Sequence, residues 1–407
     1  MAGPITPHSR LRTDAPLAAG TQERPWIPRS VILGAMGFCS NVSWQVVVPV
    51  LPLHLSHIGY TTAQIGVLIS LISLAMGIVE LQAGLIAAAV GRRGALIAGF
   101  LANAVGLVVA GNARTLGMVA SALAGVGAAK GTVVPPLHAT VAESSTAETR
   151  GRTFGIFWFL ASTAALTGPA IGGLVAAKYG SRAPFYLGAA FSAAALPIAA
   201  AVGAAGRPSA RASLASIREL VRDAGILRLC VATLLCFGIM GIWTAFLPLY
   251  ISRHGISVAV IGWVFTIQGF LYALMQIPTG RLVHRISEAR LAVVGVAGIG
   301  GVVLLVPLLH ASSAFFGAAA LYGCAFGLIP VTFATLITRL VPPDKYTTAM
   351  GVYNSAIDLG LFVGPLLGGA AAAVLGPSAP FFVALPLGLA AVIVTLRTEG
   401  VERAFTQ

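Results

Sequence analysis

Three ionisable side chains of this chain, Glu80, Lys130 and Asp358, sit inside apolar stretches long enough to cross a bilayer. A charge held at the bilayer centre costs about 2.5–3.5 kcal/mol on insertion scales, so it is kept where it faces protein or a wet cavity and has work to do. A carboxyl in such a place can take up and release a proton. An ammonium can hold an anion or pair with a carboxylate. At 1.5 Å per residue from the more basic ends of their stretches, Lys130 and Asp358 come out about 15 Å deep and Glu80 a turn or two shallower. Asp358 and Glu80 are therefore the candidate proton carriers. Lys130 joins a candidate cavity lining with Asn41, Trp44 and Gln45 of the first stretch, Trp243 of the seventh, and Tyr272 and Gln276 of the eighth. A mixed aromatic and amide lining suits an amphipathic organic ligand.

The elements that position these residues follow from composition. The 407 residues are 57% hydrophobic and 9% charged, with a mean hydropathy of +0.91. Soluble domains carry roughly 25% charged residues. There is too little polar surface here to cover a water-soluble globule. Windows of about 20 apolar residues predict 12 spans, near 30–53, 62–86, 94–112, 116–140, 154–178 and 183–203, then 229–252, 258–281, 289–310, 313–338, 349–374 and 379–396. The expected fold is an all-α membrane protein of two six-helix bundles, 30–203 and 229–396. Residues 1–29 form an N-terminal tail, 204–228 a linker with a short surface helix around Leu214 to Arg222, and 397–407 a C-terminal tail.

The formal charge is +13, yet the basic residues are scattered over short loops and form no stripe on an amphipathic helix. Topology explains them better than a nucleic-acid partner. With the N-terminus inside, about 20 Lys and Arg lie on the cytoplasmic side. Only Arg114, Lys178, Arg182 and Arg253 lie outside, with no acidic residue there. Both termini and the linker are then cytoplasmic, and the expected location is a bacterial-type inner membrane. The four cysteines fall singly within apolar stretches, so neither a metal site nor a cofactor is expected.

The two halves repeat. A shift of 196 residues carries Pro52 of a Leu-Pro-Leu triplet onto Pro248 of another, Gly84 onto Gly280, Gly168-Pro169 onto Gly364-Pro365, and Gly172-Gly173 onto Gly368-Gly369. Parallel six-span repeats rocking about a midplane site are one route to alternating access. Small residues a turn apart let the helix backbones approach closely.

The segment Gly84-Leu-Ile-Ala-Ala-Ala-Val-Gly91-Arg92-Arg93, the Gly168-Pro-Ala-Ile-Gly172-Gly173 element with its repeat, and the run from Glu143 through Arg150-Gly151-Arg152 to Gly155 together resemble the major facilitator superfamily, and within it the 12-span drug:proton antiporters. The resemblance covers nearly the whole chain outside the tails. It implies a major facilitator fold and proton-coupled efflux of small amphipathic compounds, with span 2 beside span 11 and span 4 lining the cavity. The partners are then a small-molecule substrate, protons and the lipid bilayer, for a monomer. Gly84 and Gly91 are expected to bracket a tight turn, with Arg92 and Arg93 anchoring it. The sequence departs from the family where Ala88 stands for the usual Asp and Ser121 for the usual Arg. A facilitator or symporter for a specific, anionic metabolite held by Lys130 is the alternative. Motifs of intramembrane or soluble hydrolases are absent, so an enzyme is not expected.

Overall fold

A computed structural model describes residues 29–144, 150–201, 214–283, 285–342 and 345–405. The N-terminal tail before Arg29 and the loop between Ser144 and Arg150 lie outside the described residues, as does the first part of the linker. Among the described residues the regular structure is helical, with no strand.

The first crossing is α1 (Arg29–Gln45) followed by α2 (Leu51–His57). The apolar window predicts one helix there. It breaks because Pro49 and Pro52 cannot donate the backbone bonds an uninterrupted helix needs, and Pro52 is accommodated in the first turn of α2. Next comes α3 (Thr62–Asn112), 51 residues that would reach about 76 Å if straight, more than twice the bilayer core. It turns back at Gly91, whose φ of 75° and ψ of 158° are not helical. Small residues of α4 (Leu116–Glu143) show the reversal. Gly127 and then Gly131 meet Ile72 and then Met76 of the first limb, whereas Gly106 meets Val126 and Gly99 meets Val133. One limb therefore runs parallel to α4 and the other antiparallel.

The first half closes with α5 (Arg150–Tyr179) and α6 (Ala183–Ala201), and α7 (Leu214–Arg222) is the short linker helix. Six crossings follow: α8 (Ala224–Arg253), α9 (Val258–Leu282), α10 (Glu288–Leu305), α11 (Ser312–Leu340), α12 (Tyr346–Leu375) and α13 (Ala379–Phe405). The second bundle begins at 224 rather than 229, because Asp223 caps α8 by accepting from the amides of Gly225 and Ile226, both at 2.9 Å. The last helix runs on to Phe405. Ten helices of the described residues are long and apolar enough to span a membrane. Counting α3 as two crossings and α1 with α2 as one gives 12. Large apolar side chains such as Phe159 and Val374 stand exposed on the outside of the bundle. That surface would be poorly matched to water but is matched to lipid.

The start of α1 and the end of α13 lie on one face of the bundle, the terminal face; the other is the far face.

Candidate functional site

The two halves meet along two glycine seams. In the first, Gly66 of α3 packs against the carbonyl oxygen of Pro365 and the Cα of Gly369 on α12. In the second, a Cβ on Gly262 of α9 would sit 2.5 Å from the carbonyl oxygen of Pro169 and 3.0 Å from the Cα of Gly173 on α5. These are the same contacts 196 residues apart. Within each Gly-Pro-x-x-Gly-Gly element, residues four apart share a helix face. Gly168 and Gly172 face α1 of their own half, against Gln45 and Val46, while Pro169 and Gly173 face the other half. In the repeat Gly364 lies on Gly238 and the Pro365 ring on Gly241, both of α8, while the Pro365 carbonyl and Gly369 face α3. One motif thus packs a half together with one edge and meets the other half with the other edge.

The seams run from the far face to mid-span. Ala170 N–H donates to Thr266 Oγ1 across the second seam at 3.0 Å. The equivalent Ser70 instead donates to Gly66 O on its own helix at 2.7 Å. The first seam ends at carboxyl groups: a Cβ on Gly77 would meet Asp358 Cβ at 3.3 Å and Oδ2 at 3.5 Å, which puts Asp358 beside Glu80, a turn further along α3. Among the described residues the main packing of α4 is within its own half, against α1, α3 and α5, and that of α11 is against α8, α9, α10 and α12.

Glu80 is less than a turn shallower than its partners. The first limb of α3 runs on to Val90, placing Glu80 roughly 16 Å from its end, Asp358 roughly 18 Å and Lys130 roughly 20 Å. Glu80 and Asp358 thus come together from different halves. Gly131, next to Lys130, packs against the Glu80 backbone, so Lys130 lies within electrostatic range of Glu80. Lys130 forms no ion pair among the described residues; its ammonium stands 5.8 Å from the centroid of the Trp44 ring. Ionised carboxylates repel and only accept hydrogen bonds, so two that face each other across the seam are favoured by a proton shared between them or a cation beside them.

The other lining candidates divide. Trp44, Tyr272 and Gln276 are partly exposed, and Gln276 stands one turn on from Tyr272 on the same helix. Asn41 Nδ2 reaches Ala161 O at 3.4 Å, and Gln45 packs on Gly168, so both hold α1 to α5. Trp243 is wholly buried. Its Nε1 donates to Gln268 Oε1 at 2.9 Å, and its ring stacks on Tyr322 at 4.2 Å and 12°. Sequence reasoning misses Gln268 and Tyr322, for which it offers no periodic signal.

At the terminal face the turn is made by Gly91 alone. Gly84 lies in regular helix with open space around it, a correction to the expected pair of turn glycines. Arg92 pairs with Glu143 through both guanidinium nitrogens, one of them at 2.8 Å. Arg93 is exposed. A cleft of about 610 Å³ lies here between α3 and α4, lined by Gly84, Ala88, Arg93 and Pro136 among others. Ala88, where the family's Asp would stand, leaves it unfilled.

Two six-span halves related by an internal repeat, closed on one face and bearing charges at mid-span, define a membrane transporter fold. The chain belongs to the Major Facilitator Superfamily, whose sequence pattern matches residues 33–259 and again 229–406. Multidrug resistance protein MdtG of Escherichia coli O9:H4 (strain HS) is 26% identical over 377 residues, covering 87% of this chain and 90% of MdtG. Quinolone resistance protein NorA of Staphylococcus aureus (strain MRSA252) is 24% identical over 366 residues, covering 86% and 91%. The tetracenomycin C resistance and export protein of Streptomyces glaucescens is 31% identical over 162 residues, only 36% of this chain and 28% of that one. Among solved structures, a POT family transporter in complex with 5-aminolevulinic acid superposes with a TM-score of 0.79 at 14% identity, covering 93% and 97%. The nucleoside transporter NupG gives 0.72 at 14%, covering 91% and 98%. These structures share the fold. The protein is a multi-pass membrane transporter for small molecules and not an enzyme.

Proposed function

We propose that the protein exports small amphipathic organic compounds in exchange for protons, by alternating access. The observation that carries this reading is the meeting of Glu80 and Asp358 at mid-span, one from each half, beside Lys130. With the far face closed, the pair is assembled and holds a proton. A substrate entering from the terminal face beside Lys130 and Trp44 parts the two carboxyls and lets the proton leave on that side. Rocking of the halves then opens the seams and exposes the carboxyls to the far face, where the pair takes up one proton again. The terminal face is cytoplasmic in this reading, in keeping with the excess of basic residues in its loops. The drug-resistance names of MdtG and NorA agree with it.

Inside-out vesicles with an acid lumen, given a panel of amphipathic aromatic compounds, provide the test. Accumulation that collapses with an uncoupler is expected. Flux that proceeds only downhill and ignores the gradient would replace this reading with a facilitator for an anion, favoured by the unpaired ammonium of Lys130.

A further inference from the structure

Two histidines of the second half meet at the far face. His254 closes α8 and is partly exposed, and His310 stands exposed in the short connection before α11. Their ring centroids are 5.2 Å apart, with the planes at 80°. Each ring is held on one side by a backbone carbonyl: His254 Nδ1 lies 3.0 Å from Tyr250 O, and His310 Nδ1 lies 2.9 Å from Leu308 O. A carbonyl oxygen only accepts, so in both rings Nδ1 carries the proton and the neutral imidazole keeps its lone pair on Nε2. Among the described residues these are the only hydrogen bonds that either ring makes. Tyr250 fixes the two pieces to each other. Its carbonyl accepts from His254, its hydroxyl donates to Pro307 O at 2.8 Å in the segment leading to His310, and its ring lies 4.8 Å from that of His254.

An imidazole tied to a carbonyl through one nitrogen and free at the other is the form in which histidine binds a metal ion. An ion shared by both rings, about 2.0–2.1 Å from each Nε2, would stand about 3.2 Å from each ring centre, and centres 5.2 Å apart then subtend about 109° at it. That is the tetrahedral angle zinc takes.

We propose that His254 and His310 form a zinc site on the far face. Water completes the tetrahedron, since no third His, Cys, Asp or Glu joins them among the described residues. The site is separate from the mid-span charges and does not depend on the exporter reading. It stands beside the closure between the halves: Arg253 Nη2 donates to Thr62 Oγ1 of α3 at 3.4 Å, and the carbonyl oxygen of Val258 lies against Gly173 of α5.

Calorimetric titration of zinc chloride into the purified full chain, without a polyhistidine tag, tests it. One saturable site per chain is expected, reversed by EDTA, with a rise in melting temperature because the ion binds the folded state. His310→Ala, a change at an exposed side chain, and His254→Gln should each weaken binding about 100-fold or more, beyond what loss of an outer-shell partner costs. His57→Ala, on the far face of the first half, should bind as the wild type does. Absence of a saturable site in the wild type, binding that survives in either His254→Gln or His310→Ala, or its loss in His57→Ala would overturn the proposal. A melting temperature that zinc leaves unchanged at saturation would overturn it as well.

Discussion

Arg92 pairs with Glu143 at the terminal face, and at the positions 196 residues further on Glu288 pairs with Arg339, the charges exchanged. Each pair ties the start of one crossing to the end of the next, so the repeat preserved the bond and not the sign. Glu288 opens α10 and Arg339 closes α11, where the helix dipoles favour those signs.

The two pairs should respond differently to breakage. Glu288 is 3% exposed in its side chain, so Arg339→Gln strands a buried carboxylate and should cost about 2 kcal/mol. The Glu143 side chain is 41% exposed, so Glu143→Gln should cost under about 1 kcal/mol. Arg92→Glu with Glu143→Arg should restore the melting temperature lost by either reversal alone. Thermal melting of the purified variants reads all three.

Gly91 and Gly84 separate in a similar test. Gly91 needs its positive φ, so Gly91→Ala should cost about 1–2 kcal/mol although nothing occupies the space around it. Gly84→Ala, in open helix, should be stabilising by about 0.5–1 kcal/mol. Equal effects would mean that the turn is not made at Gly91 alone.

Adjacent glycines of the Gly168–Gly173 element should fail in different ways. A methyl at Gly172 meets the Val46 carbonyl inside one half, so Gly172→Ala should destabilise by about 1–3 kcal/mol. A methyl at Gly173 meets Gly262 and Val258 across the seam. Gly173→Ala should therefore leave the melting temperature nearly unchanged while slowing transport about tenfold and increasing labelling of a far-face cysteine. Loss of stability in both variants would argue against a separate moving seam.

Much of this is legible in the sequence, because bilayer thickness sets span length and the constant offset of 196 shows the repeat. The limits are physical. Apolar windows cannot see a helix that runs past the hydrocarbon, which is why they place Glu80 too shallow and Gly84 at a turn. Periodicity does not say which edge of a glycine motif faces which neighbour, and only the packed bundle shows that Gly168 and Gly364 lie within their own halves. The exchanged ion pairs keep position but not residue type, and a search for identical residues passes over them. His254 and His310 stand far apart in the sequence, and only the fold brings their rings together.

Orientation is open to direct labelling. On a background lacking Cys39, Cys230, Cys236 and Cys324, a cysteine at Arg218 in the linker helix should resist an impermeant thiol reagent applied to intact cells, and one at Arg114 should react. The reverse pattern would place the terminal face outside.

Proton movement upon substrate addition tests the central claim most directly. With the purified protein in proteoliposomes holding a pH-sensitive dye, adding a transported compound should drive a proton flux opposite to the compound. Glu80→Gln and Asp358→Asn should each abolish that flux while binding at equilibrium persists. A wild-type flux retained by the Glu80→Gln, Asp358→Asn double variant, or transport by the wild type with no proton movement at all, would contradict the assignment of that pair as the coupling site.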